Sequence, residues 1–157
     1  MRILLVHPGP LMYSEIYLRL EPLGLERVAQ AVRAAGHEVR VLDLQTFAHK
    51  DFHREFAEFR PRALGFSLNY LANLPEIVDL AKGAKRGGRG SFVFVGGHSA
   101  SFIAEELLEH GDGAIDCVLR GEGETAAPQL IAAIEDGGVA RVPGAVALEG
   151  RGPHLTS

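Results

Sequence analysis

The sequence predicts a doubly wound α/β domain, and three observations carry that prediction. Five apolar, β-favouring runs alternate with five helical patterns along the 157 residues. The run Phe92-Val93-Phe94-Val95 is apolar on every side, as a strand covered on both faces must be. It ends at once in Gly96-Gly97, and His98-Ser99-Ala100-Ser101 then opens a helical pattern. Parallel strands need crossover connections, and those are right-handed, so the alternation reads as a parallel sheet with helices on both faces. Five such units are expected as one domain, in the flavodoxin-like (Rossmann-like) strand order 2-1-3-4-5.

The elements follow in chain order. Arg2–Val6 is the first strand, too short and lacking the cleavage site of a signal peptide. Leu25, Val28, Ala29 and Val32 fall on one helical face, with Pro22 near its start and Gly36 just past its end. Glu38–Leu42 is the second strand. Phe52, Phe56 and Phe59 form the stripe of the next helix, which Asp51 is placed to cap and Pro61 stops. Ala63–Phe66 is the third strand. Ile77, Leu80, Ala81 and Ala84 line a helix that Asn73 is placed to cap. After Phe92–Val95 come Ile103, Leu107 and Leu108, a helix closed by Gly111. Ala114–Leu119 is the fifth strand. Leu130, Ile131 and Ile134 mark the last helix, with Thr125 as candidate cap and Gly137 closing it. Ala145–Leu148 has the pattern of a short additional edge strand. Arg151–Ser157 reads as the start of a linker, so residues 1–150 are expected to be one domain of a longer protein.

Composition narrows the function. A net charge of -4 without a clustered basic face argues against nucleic acid as partner. No apolar run approaches the roughly 20 residues of a membrane span. Cys117, the only cysteine, sits in an apolar run and reads as core. With no internal disulfide possible, a cytoplasmic location is expected. The chain has no P-loop, and its first loop lacks Gly-x-Gly-x-x-Gly. That loop also lacks the Ser/Thr/Gly run of a flavodoxin phosphate site. A receiver domain would need acidic residues where His7 and Ser67 stand.

Ligands of open α/β sheets bind outside the carboxyl ends of the strands. The loops gathered there are His7–Leu20, Asp43–Lys50, Ser67–Ala72, Gly96–Ser99 and Arg120–Glu124. The first exceeds the usual two to six residues of a strand-to-helix connection, and Pro8, Pro10, Met12 and Tyr13 give it apolar walls. Gly96 and Gly97 either allow close backbone approach to a ligand or serve only the turn. Arg120-Gly121-Glu122-Gly123-Glu124-Thr125 allows three readings: a helix amino terminus with Thr125 as cap, a ligand loop with Glu122 as hydrogen-bonding group, or a carboxylate pair. His49 and His53, four apart, suit a surface pair better than a metal site, because no third ligand is close in sequence. Neither His7 nor His98 has the neighbours of a nucleophilic triad.

Taken together, the motifs resemble the amino-terminal cobalamin-binding domain of B12-dependent radical SAM enzymes. The resemblance is carried by Val95-Gly96-Gly97-His98-Ser99-Ala100 and by Ile115-Asp116-Cys117-Val118-Leu119-Arg120-Gly121-Glu122-Gly123-Glu124. Arg2-Ile3-Leu4-Leu5-Val6-His7-Pro8, Pro22-Leu23-Gly24-Leu25 and Val142-Pro143-Gly144 fit the same family. Within it, His7-Pro8-Gly9-Pro10-Leu11-Met12-Tyr13 and Asn69-Tyr70-Leu71-Ala72-Asn73 resemble the hopanoid C-3 methylases. The resemblance implies base-off cobalamin, with its dimethylbenzimidazole tail beside Ser67, Leu68, Asn69, Gly96, Gly97 and His98. It also implies the loop Arg120, Gly121, Glu122, Gly123 and Glu124 as part of the site, and the cobalt's lower face against Leu11, Met12 and Tyr13. The Asp-x-His-x-x-Gly of cobalt-ligating corrinoid proteins is absent, which implies no histidine ligand. The iron–sulfur motif Cys-x-x-x-Cys-x-x-Cys is also absent, so S-adenosylmethionine and a 4Fe-4S cluster belong to a radical SAM domain in cis. That domain would act on a small-molecule or lipid substrate. Two other readings compete. Gly36-His37-Glu38-Val39 also occurs in amino-terminal halves of GT-B glycosyltransferases, and a domain that has lost its corrinoid could serve docking alone.

Overall fold

A computed structural model describes residues 1–10, 22–88 and 90–148. Six strands form one sheet: β1 (Arg2–His7), β2 (Glu38–Asp43), β3 (Ala63–Ser67), β4 (Phe92–Gly96), β5 (Cys117–Leu119) and β6 (Ala145–Val146). Their order is β2-β1-β3-β4-β5-β6. The first five are parallel to their neighbours, in the expected order 2-1-3-4-5. The expectation of a five-stranded sheet is corrected by β6, which pairs antiparallel to β5 through Val118↔Val146 and Leu119↔Ala145. Gly144 makes this return possible. It has φ +83°, and a side chain there would run into the Arg120 carbonyl, while its own carbonyl accepts the Arg120 N–H at 2.8 Å.

Alternation along each strand divides the interior into two cores. Leu4, Val6, Leu64, Phe66, Val93 and Val95 face one side, where they meet the phenylalanine stripe of α2 (His49–Phe59) and the helices α3 (Leu74–Arg86), α4 (His98–Phe102) and α5 (Ala104–His110). Ile3, Leu5, Ala63, Phe92, Phe94, Cys117 and Leu119 face the other, covered by α1 (Leu23–Ala34) and α6 (Gly123–Asp136). Phe52 and Phe66 are essentially fully buried against one another, with ring centroids 6.1 Å apart. Burying each such side chain is worth about 1.5–3 kcal/mol.

Several local expectations are corrected. The fifth strand's ladder spans Cys117–Leu119 rather than beginning at Ala114, and just before it Asp116 turns its carboxylate to the amino-terminal end of β4. Asp116 Oδ2 accepts the Val93 N–H at 2.7 Å and Lys85 Nζ at 2.6 Å. The fourth helix is two helices, broken at Ile103 (φ −127°). Thr125 does not cap α6; Glu122 occupies that position by backbone geometry, and Thr125 is exposed one turn in. Asp51 stands within the first turn of α2 rather than before it, and from there it does cap the helix start, its carboxylate accepting the Ala48 N–H at 2.8 Å. Asn73 stands at the cap position of α3, but its side chain reaches away to the Gly9 carbonyl at 3.1 Å. Among the described residues no helix is long and apolar enough to cross a membrane.

Candidate functional site

The site is built where small residues face the α1/α6 core. On that face β3 carries Ala63, Gly65 and Ser67, and β4 carries Phe92, Phe94 and Gly96, so side-chain volume vanishes toward the carboxyl ends. Across from them, α1 carries Gly24 as its second residue and α6 begins with Gly123. The two layers therefore fail to meet, and a cavity of about 350 Å³ opens between them. This falls within the range of small-molecule sites, roughly 300–1,000 Å³. Leu5, Gly65 and Phe94 lie at its sheet side, Leu25, Val28 and Ala127 at its helix side, and Ser67, Asn69, Gly96, Gly97, His98, Gly121 and Glu122 near the strand ends.

Hydrogen bonds fix the two loops that frame it. The Leu68 N–H donates to the Gly96 carbonyl at 2.7 Å, and the Leu68 carbonyl accepts from Ser99 and Ala100 at 3.1 and 3.3 Å. Asn69 accepts the His98 N–H on its side-chain oxygen, and the Ser99 hydroxyl on its carbonyl at 2.7 Å. Gly97 sits inside this lattice at φ +110°, ψ 171°, where a Cβ would lie 2.7 Å from the Leu68 oxygen. A glycine is therefore required at 97 for the turn itself. Gly96 differs: a Cβ there would meet only Leu119, at 3.9 Å. The Ser67 hydroxyl is buried and has no hydrogen-bond partner among the described residues. An unpartnered buried hydroxyl is costly, which suits a group that completes its bonding with a ligand.

The sequence-predicted residues divide into three sets. Ser67, Asn69, Gly96, Gly97, His98, Gly121, Glu122 and Gly123 line the cavity. Leu68, Arg120 and Glu124 do not. Leu68 supports the loop through its backbone, Glu124 lies 3.7 Å from Arg27 on the surface, and Arg120 donates from Nε to the Ser101 carbonyl at 3.1 Å and pairs with Glu105 at 2.8 Å. Leu11, Met12 and Tyr13 lie outside the described residues. Sequence reasoning missed Gly24, Val28 and Ala127, because α1 and α6 meet only through the sheet order. It also missed Gly65, although a glycine inside a strand is a recognised sign of close approach. Here a Cβ would lie 2.5 Å from Cζ of Phe94.

Outside the cavity, His7 Nδ1 lies 2.9 Å from the Pro8 carbonyl and 3.3 Å from Gln45 Nε2, on the β2 side. His49 Nε2 bonds Glu76 at 2.9 Å rather than pairing with His53. The same Glu76 carboxylate accepts the Gly9 N–H at 3.0 and 3.1 Å, holding the start of the first loop. Among the described residues no group of three or more His, Cys, Asp or Glu is placed to hold a metal ion. Burial pushes the Cys117 thiol up to about 12, a backbone contact with Val146 opposes this, and the Asp116 charge adds to it. The thiol is thus protonated and inert at neutral pH.

Fold and cavity define a class: an α/β domain that holds a ligand between the carboxyl ends of its central strands and one helix pair. A family model described as the B12 binding domain matches residues 10–131, and the chain belongs to that family. It is 56% identical over 154 residues to the hopanoid C-3 methylase of Methylococcus capsulatus, covering 98% of this chain and 30% of that protein. It is 31% identical over 118 residues to an uncharacterized methyltransferase of Pyrococcus horikoshii, covering 74% of this chain and 25% of that one. The chain thus spans less than a third of these curated relatives. Among solved structures, the cobalamin-dependent S-adenosylmethionine radical enzyme OxsB with aqua-cobalamin bound shares the fold. Its TM-score is 0.79 at 20% identity, over 96% of this chain and 21% of that one.

Proposed function

We propose that this chain binds cobalamin as the corrinoid-binding domain of a longer methyltransferase. The observation that carries the reading is the unpartnered, buried hydroxyl of Ser67, a residue that lines the cavity of this B12-binding family member. The cofactor would be held base-off, its nucleotide tail between β3–β4 and the α1/α6 pair. Ser67 would bond the tail, Gly96 and Gly97 would admit it, and the Gly121–Gly123 turn would border it. Leu68 and Arg120 hold these walls in place, and Leu11, Met12 and Tyr13 would face the cobalt's lower side. Bound there, the corrinoid supplies a cobalt centre able to carry a methyl group. No protein histidine would serve as ligand; His7, the challenger because it begins the first loop, is engaged with Pro8 and Gln45.

Residues 1–150 form this domain in the proposal, and 151–157 lead toward a radical SAM domain in cis. That domain would bring S-adenosylmethionine and a 4Fe-4S cluster, and the whole protein would methylate an unactivated carbon in the cytoplasm. The name of the 56% identical relative favours a lipid substrate over other small molecules.

Titration with hydroxocobalamin, followed in the visible spectrum, tests the reading. Saturable binding is expected, with loss in Gly96→Val, whose side chain would enter the cavity against Leu119 alone. Binding of a nucleotide-sugar instead would favour the glycosyltransferase reading, and binding of neither would favour a docking domain.

A further inference from the structure

The cavity is unequal along its depth. Leu5, Gly65 and Phe94 stand in register across β1, β3 and β4, two residues below Ser67 and Gly96. That places the floor about 6.6 Å deeper, at roughly 3.3 Å per strand residue. The Phe94 ring lies over Gly65 and seals this level, while Leu25, Leu119 and Ala127, each nine-tenths or more buried, close the sides. The polar lining residues Asn69, His98, Ser101 and Glu122 all follow strand ends and stand at the outer level. The strand backbones at the floor are already committed to their ladders. Among the described buried side chains one polar atom lacks a partner, the Ser67 hydroxyl, and it stands two residues above this floor.

We propose that this cavity discriminates among corrinoids by their lower base, admitting a methyl-substituted benzimidazole and disfavouring a purine. The inference rests on the cobalamin reading above and names the ligand class within it. A dimethylbenzimidazole brings to the floor two methyl groups and a single ring-nitrogen acceptor. One hydroxyl can serve that acceptor, and the methyls match Leu5 and Phe94. An adenine brings an exocyclic amine with two N–H donors and further ring acceptors. At least one of these would be buried against hydrocarbon without a partner, and an unsatisfied buried polar group carries a full desolvation penalty.

Three corrinoids with the same ring test this on the chain: cobalamin, its adeninyl analogue, and cobinamide, which has no base. Cobalamin is expected to bind at least about tenfold more tightly than the adeninyl form, the scale of one stranded polar group. Val28→Thr and Ala127→Ser each place a hydroxyl on the lining with little change in volume, and either should narrow the ratio. Equal affinity for the two bases overturns the selectivity while leaving cobalamin binding intact. A ratio that neither variant changes overturns the assignment to the apolar lining. Cobinamide binding as tightly as cobalamin would remove the tail from the cavity, and binding of none of the three would overturn the function itself.

Discussion

Adjacent glycines in this protein answer different physical demands. Gly97 adopts a backbone conformation open essentially to glycine alone, and its missing Cβ leaves room for the Leu68 carbonyl. Gly97→Ala is therefore expected to lower stability by about 1–3 kcal/mol, read as a shifted urea midpoint with unchanged slope. Wild-type stability would mean the turn can relax. Gly96 lies in regular strand with free space beside it, so Gly96→Val should fold normally and report on the cavity. His7 gives a further residue-scale test. Its ring is held toward Pro8 and Gln45, so His7→Ala should leave the visible spectrum of bound cobalamin unchanged. A shift that free imidazole reverses would place this histidine on cobalt.

At the scale of elements, the break between α4 and α5 concentrates the construction of the site. Had the helix run on, the Ser101 carbonyl would bond the N–H of residue 105; instead Arg120 reaches across from the β5 loop to accept that role as donor. The same guanidinium pairs with Glu105, and the Arg120 backbone bonds Gly144 at the turn into β6. One residue thus ties α4, α5 and the turn into β6 to the β5 loop, through its side chain and its backbone together, while lying outside the cavity lining. Arg120→Met keeps the aliphatic stem and should cost on the order of 1 kcal/mol in stability. It should also weaken cobalamin binding while Glu105→Gln, which leaves the Ser101 bond, changes binding little. Titration of both variants checks this, and equal loss in the two would assign the effect to the ion pair.

Elements and site were unequally legible in the sequence. Strands buried on both faces announce themselves as apolar runs, which is why β1, β3, β4 and β5 could be read from the chain, while the edge strand β2 shows alternation instead. β6, a two-residue ladder with partly buried side chains, falls at the start of the Ala145–Leu148 run that reads as a short additional edge strand. The helix break at Ile103 was illegible because Ile103, Leu107 and Leu108 keep helical spacing across it. The cap expected at Thr125 failed because the Gly121–Gly123 turn starts the helix by backbone geometry. Glycines and Ser67 at the strand ends marked the mouth of the site, since short loops carry that information locally. Its back wall could not be read, because Val28 and Ala127 lie about 100 residues apart and become neighbours only when the sheet is assembled.

For the whole molecule, the small residues facing the α1/α6 core mean that the polypeptide does not finish its own interior. A gap of about 350 Å³ in one of its two cores is left for a guest to complete, and the guest would then behave as a structural component as well as a reagent. Its occupancy should accordingly set how the domain melts. At a free cobalamin concentration one hundred times the dissociation constant, linkage adds about 2.7 kcal/mol to the native state. At about 2–4 °C per kcal/mol for a chain of this size, the melting temperature should rise by roughly 5–11 °C. The same cobalamin should leave the Gly96→Val variant, whose side chain obstructs the cavity beside Leu119, melting where it did before. A cell short of the cofactor would then hold this domain nearer its unfolding threshold, so supply of the corrinoid would govern how much of the protein persists.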